Sequence, residues 1–219
     1  QCAKTCCNVG VDCLVDSKSC CQHEDLWRLT PERCLSQDDG SRSLCAMRIE
    51  QFGQAPGGRR GHAMGLVDGG SGLMLILTMG TDPSGANPNA VYVGIMDALL
   101  TTCTWAVLPP VSVSPPGRDI SGFVQVGLSP KDAYFIFWGG SDASSLFMDD
   151  FWSMQMTDKA TITGYVPAAA WEPILSAASA PLSAATLAAV TGGALFIFGG
   201  WGPAPGGAVA VQGDLWKFD

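Results

Sequence analysis

The most apolar runs of the chain show neither helical spacing nor the alternation of a half-buried strand. "LMLILTMG" (73–80), "AYFIFWGG" (133–140) and "ALFIFGG" (194–200) are each nearly continuous apolar stretches that end on glycine, at positions 80, 140 and 200. A short, unbroken apolar run that stops at glycine predicts a strand covered on both faces. Three such runs at equal intervals are an internal repeat, and a repeat sets the architecture before any single residue does.

The flanking segments repeat as well. Upstream of each run lies a first strand: "GRRGHAMGLV" (58–67), "GRDISGFVQV" (117–126) and a degenerate "APLSAATLAAV" (180–190). Turn signals separate it from the apolar strand: "VDGGSG" (67–72), "LSPKD" (128–132) and Thr191-Gly192-Gly193. A loop then leads to a third strand, "AVYVGIM" (90–96), "DDFWSMQM" (149–156) or "GDLWKFD" (213–219). A fourth strand carries tryptophan, in "CTWAVL" (103–108) and "AAWEPIL" (169–175). Four short antiparallel strands with the second apolar throughout describe a β-propeller blade, with full blades over about 57–109 and 116–175 and a partial one over 180–219. Gly80, Gly139, Gly140, Gly199 and Gly200 admit backbone conformations that a Cβ would block. Trp105 and Trp171 place a large side chain between blades, each worth about 2–3 kcal/mol by area. The same pattern disposes of an apparent membrane span: residues 173–212 contain no charged residue, but their central Thr-Gly-Gly is a turn, so the segment is expected to be a buried hairpin.

The order Gly-Arg…His, apolar strand, Gly-Gly, Asp-Leu-Trp, then Trp resembles the kelch repeat. "GRRGH" (58–62), "FIFGG" (196–200), "GDLWKFD" (213–219) and "AAWEPIL" (169–175) carry the resemblance, which covers residues 46–219. The first repeat departs from the pattern with Met79 in place of a glycine, and the third lacks the arginine. The resemblance implies that the loops after the glycines, 81–89, 141–148 and 201–212, gather at one mouth of the ring and contact ligands. Thr81, Asp82, Ser141, Asp142 and Trp201 are then the ligand-facing candidates, suited to a basic peptide or a sugar ring. Asp and Ser also favour turns with no ligand present, and that alternative stands beside it. "EDLWRL" (24–29) reads as a third strand and "CAMRIEQ" (45–51) as a fourth, since Met47 stands as far before Arg60 as Trp105 does before Arg118. The expected fold is therefore all-β: kelch-type blades of four antiparallel strands, incomplete in this chain, beside a small disulfide-rich segment. A closed ring needs at least about four blades, so the rest of the polypeptide or other protein chains would complete it.

Composition narrows the function. The chain is 47% hydrophobic and 15% charged, which suits a folded core, and its net charge of −8 argues against a nucleic-acid partner. Eight of nine cysteines, Cys2, Cys6, Cys7, Cys13, Cys20, Cys21, Cys34 and Cys45, fall in residues 1–45. The adjacent pairs do not give the spacing of a zinc knuckle, so the segment reads as disulfide-stapled and the protein as extracellular or cell-surface. The ninth, Cys103, is either a buried filler or the partner of something outside the chain. His23 and His62 are the only histidines, and His62 falls at the Gly-His position, where a hydrogen-bonded structural role is expected. Some secreted kelch propellers resemble galactose oxidase, whose copper needs two histidines and converging tyrosines; Tyr92, Tyr134 and Tyr165 and the single propeller histidine do not supply that set. No catalytic residue, metal or cofactor is expected in this chain. Two functions follow: a non-catalytic interaction or structural module in a larger assembly, or a fragment of a galactose-oxidase-like or carbohydrate-binding protein whose active residues lie elsewhere. A glycan is the alternative ligand to a protein partner.

Overall fold

A short N-terminal ribbon pairs β1 (Leu26–Thr30) with β2 (Cys45–Gly53) in the computed structural model. The structure describes residues 26–30, 45–68, 72–108, 113–119, 122–127, 133–161, 164–174, 187–191, 194–203 and 209–218, and no helix occurs among them. The expected disulfide framework lies outside the described residues, apart from the backbone of Cys45 at the start of β2.

The first repeat forms an antiparallel meander of β3 (Ala63–Asp68), β4 (Leu73–Thr78), β5 (Val91–Met96) and β6 (Thr102–Leu108). The second does the same with β7 (Gly122–Val126), β8 (Tyr134–Trp138), β9 (Phe151–Thr161) and β10 (Gly164–Ile174). The third contributes β11 (Leu187–Thr191) and β12 (Ala194–Phe198), then a small ribbon of β13 (Trp201–Pro203) and β14 (Val209–Val211), and finally β15 (Leu215–Phe218) beside β12. The uncharged stretch is thus a hairpin, with Leu187 opposite Phe198 and Thr191 opposite Ala194. No described helix is long and apolar enough to cross a membrane.

The continuous apolar character of β8 follows from its place between two sheets. Phe135 and Phe137 are buried against the first meander, in a core with Val67, Ile76, Val93 and Trp171. Trp138 faces the other way, into a cluster with Phe151, Leu195 and Ile197, against which Ile136 and Trp216 pack. Alternate side chains of one strand therefore serve two interfaces, which is why no polar face exists to break the run. Aromatic contacts tie the layers: Phe137 and Trp171 ring centroids lie 5.0 Å apart, and Phe151 and Phe218 lie 4.9 Å apart. The pairs facing each other at the strand ends trade volume. Ala63 opposes Thr78 in the first meander, whereas Gly122 opposes Trp138 in the second, and a Cβ on Gly122 would sit 1.8 Å from the indole.

Trp105 and Trp171 occupy corresponding places, Trp105 opposite Gly94 and Trp171 opposite Met154, but they face different surroundings. Trp171 lies in the core between the first two meanders. Trp105 lies on the outer face of the first, with Ile49, Leu77, Met96 and Cys103, and its indole Nε1 donates to Gln51 Oε1 at 2.7 Å. Cys103 is a free thiol with no exposed surface, and burial pushes its pKa up to about 11. Of its two readings, the buried filler holds.

Three local features differ from the sequence reading. β1 and β2 pair with each other as a third and fourth strand would, yet β2 runs parallel to β6 and extends the first meander's sheet. The outer edge of β6 would otherwise lie bare, and β2 supplies its ladder. The spacing match of Met47 to Arg60 does not survive: Arg59, not Arg60, is the counterpart of Arg118, since Arg60 bridges Thr81 as Asp119 bridges Ser141. The hairpin β9–β10 is also longer than its sequence pattern, pairing Phe151 with Ile174 at one end and Thr161 with Gly164 at the other. Pro167 is tolerated there because β10 is an edge strand of its sheet and a missing N–H costs no ladder bond on the outer side.

Met79 shows packing overriding backbone preference. It sits at φ 62°, the left-handed conformation that Gly139 (φ 57°) and Gly199 (φ 70°) adopt at the same place in the other repeats. Its side chain has no exposed surface and lies in the core between the meanders. Met79→Gly would relieve about 1 kcal/mol of backbone strain but remove a buried side chain worth about 2–5 kcal/mol. The expected result is a net loss of about 1–4 kcal/mol, read from urea unfolding.

Candidate functional site

The repeat-end glycines deliver the chain to one rim, where the loops of the first two meanders are locked together by Arg118 and Asp119. Arg118 has no exposed surface. Its Nε donates to the Pro116 carbonyl at 3.2 Å and its Nη1 to the Gly139 carbonyl at 2.9 Å. Both terminal nitrogens then grip Asp150, Nη1 to Oδ1 at 2.5 Å and Nη2 to Oδ2 at 2.9 Å, while Trp152 Nε1 donates to Oδ2 at 2.6 Å. Burial by itself raises the Asp150 pKa, but the Arg118 and Trp152 hydrogen bonds and the Arg118 charge outweigh it, and the net shift is downward.

Asp119, unnoticed in the sequence, is the bracket between loops. Its backbone exchanges two hydrogen bonds with Ser141, at 2.9 and 3.0 Å. Its carboxylate accepts from Ser141 Oγ at 2.7 Å and, on the other oxygen, from Thr81 Oγ1 at 2.7 Å. Asn87 reinforces the junction, facing Thr81 Oγ1 with Oδ1 at 2.8 Å and donating from Nδ2 to the Ser141 carbonyl at 3.2 Å. Gly80 N also donates to the Arg118 carbonyl across the interface, at 2.8 Å. Two of the sequence candidates, Thr81 and Ser141, are therefore brought together, and their hydroxyls are committed to Asp119.

Asp82 and Asp142 occupy identical turns. Asp82 Oδ1 accepts from the N–H groups of Ser84 and Ala86 and from the Ser84 hydroxyl, at 2.8, 3.1 and 2.6 Å. Asp142 Oδ1 accepts from the N–H groups of Ser144 and Leu146, at 2.8 and 2.9 Å. In both loops the fourth residue takes a positive φ, Gly85 at 85° and Ser145 at 63°. The Ser84 hydroxyl bond, followed by its backbone bonds, holds the Asp82 pKa below its ordinary value despite some desolvation. Each carboxylate thus shapes its own loop. The second of these loops also offers apolar groups to solvent: Leu146 is 65% exposed and Phe147 40%. Trp201, which opens the ribbon β13–β14, is 48% exposed, and Val211 opposite it 69%. Leu146 and Phe147 were missed in the sequence, although large apolar residues inside "SDASSLFMDD" (141–150) were the available signal.

Arg59 repeats the Arg118 geometry in the first meander. Its Nε donates to the Gly57 carbonyl at 3.2 Å and its Nη1 to the Met79 carbonyl at 3.0 Å. It is 8% exposed, and its guanidinium lies 4.9 Å from the centre of the Tyr92 ring. His62 stands exposed beside it, its pKa lowered by partial desolvation and by the Arg59 charge.

No family model matches the chain, and no curated protein matches it. Among solved structures, a chain of one described as "Cryo-EM structure of RAG in complex with one melted RSS and one unmelted RSS" is similar, with 17% identity and a TM-score of 0.54. The match covers 88% of this chain and 57% of that one. At that identity the likeness is one of fold.

Proposed function

We propose that the chain forms part of a kelch-type β-propeller acting outside the cell, or on its surface, as a non-catalytic interaction module in a larger assembly. The observation that carries this reading is the exposure of Leu146, Phe147 and Trp201 on loops whose bases are fixed by internal bonds. A rigid scaffold presenting apolar and aromatic tips is suited to bury them in a partner without a large ordering cost. The stacking of the sheets through apolar faces supports the propeller reading, because β8 is covered on both sides. The third sheet has β15 at its margin with no further strand paired to it among the described residues, so another strand from the same or another polypeptide would complete it. The cysteine density of residues 1–45 supports the oxidising compartment.

The test combines cross-linking with substitution. Cross-links to a stoichiometric extracellular partner should map to loops 141–148 and 201–212. Serine at Leu146, Phe147 and Trp201 together should weaken that association at least about tenfold. Their stability effect should stay within about 0.5 kcal/mol per site, because none is buried. Undiminished association of the triple variant, or cross-links confined to other surfaces, would remove this face from the account.

A further inference from the structure

Arg118 and Arg59 are the same cradle with one part exchanged. Each guanidinium donates Nε to the carbonyl two residues before it and Nη1 to the carbonyl at the left-handed residue that ends the second strand. In the second meander the remaining edge holds Asp150, the residue before Phe151, which pairs with Trp138. In the first meander Val91 pairs with Thr78 at the same register, so Ala90 stands where Asp150 stands. Tyr92 likewise stands where Trp152 does, and the Arg59 guanidinium lies over its ring. Arg59 therefore keeps a buried, oriented positive charge and has no ion pair among the described residues. Asp82, whose carboxylate feels the Arg59 charge, is bound into its own turn instead.

We propose that Arg59, Tyr92 and the backbone around Met79 form a carboxylate-binding site, taking up in the first meander the group that Asp150 supplies in the second. A planar guanidinium fixed by two carbonyls is preorganised for bidentate capture of a carboxylate. The aromatic ring beneath it keeps the cation in place without neutralising it. The ligand class is a carboxylate, either a small free one or an acidic side chain of another polypeptide segment. This site stands apart from the apolar rim tips and requires no partner protein, so its failure and the failure of the assembly reading are separable.

The test is thermal unfolding of the 219-residue chain in sodium acetate and in N-acetyl-aspartyl amide, each against sodium chloride at equal ionic strength. Ala90→Asp, which supplies the carboxylate internally, is the informative variant, and Arg59→Gln is the second. The wild type should gain several degrees in carboxylate beyond its value in chloride, and both variants should lose that specific gain. A response to acetate alone points to a small free ligand; a response to both probes points to an acidic side chain. No carboxylate-specific gain in the wild type, or an equal gain in Ala90→Asp, overturns the proposal. Should Arg59→Gln fail to fold, the comparison of wild type with Ala90→Asp decides alone.

Discussion

Arg118→Met is expected to cost about 2–4 kcal/mol of stability, chiefly because the Gly139 and Pro116 carbonyls lose a donor; the ion pair adds less than a buried one would, since the Asp150 side chain is 37% exposed. The substitution keeps much of the aliphatic volume but strips the Gly139 and Pro116 carbonyls of a donor and leaves Asp150 with Trp152 as its remaining side-chain donor. The pH dependence identifies the cause. The folded-state pKa of Asp150 is lowered, so its contribution is present at neutral pH, above the unfolded value of about 4, and is lost as pH falls through the lower folded value. In the variant the Arg118 hydrogen bonds and charge are gone and burial is opposed only by the Trp152 and backbone hydrogen bonds, so the pKa lies higher than in the wild type. The gap between wild type and variant should therefore be widest at neutral pH and narrow as pH falls through about 4 towards the lowered folded-state value. Urea unfolding of both proteins across that range measures it. A gap that stays constant would mean that Arg118 acts through packing rather than through Asp150.

Gly117→Ala is the second large effect. A Cβ at Gly117 would lie 1.5 Å from the backbone oxygen of Asn87 and 2.6 Å from its carbonyl carbon. A backbone atom cannot swing aside as a flexible side chain can, so the two meanders would have to part at the rim. That movement would pull on the Asn87 and Thr81 bonds to Ser141 and Asp119. The expected loss is about 3 kcal/mol or more, at the upper end for overpacking. Gly57→Ala is the control: nothing lies within 4 Å of its Cβ position, and its effect should stay within about 0.5 kcal/mol. Equal losses for the two variants would mean that the rim is not a close backbone contact.

What the sequence made legible was whatever repeats. The three apolar runs, their partner strands and the hairpin in the uncharged stretch all follow from patterns that recur at equal spacing along the chain. Features without a repeat were not legible. The parallel pairing of β2 with β6 depends on where an edge lies bare, which a local pattern does not encode. The extension of β9 and β10 through Thr161 and Gly164 runs over polar, threonine-rich sequence without a strong strand signature. At the rim, choosing Asp82 and Asp142 rested on residue type, yet both carboxylates bind their own loops. Asp119 escaped notice because its value lies in reaching two hydroxyls, on Thr81 and Ser141, that belong to different repeats. Arg59 and Arg60 could not be told apart by counting, since the path from the cradle arginine to the left-handed residue is slightly longer in the second repeat, from Arg118 to Gly139, than in the first, from Arg59 to Met79.

The reading as a portion of a ring within a larger assembly is tested most directly by mass spectrometry of the protein from its natural source, under native and denaturing conditions, with and without reduction. A native species heavier than the 22.8 kDa of these 219 residues is expected, as one longer polypeptide or as a complex that separates on denaturation. Reduction is also expected to add eight protons, for the eight cysteines of residues 1–45. A cooperatively folded native particle of 22.8 kDa, unchanged in composition on denaturation, would contradict that reading.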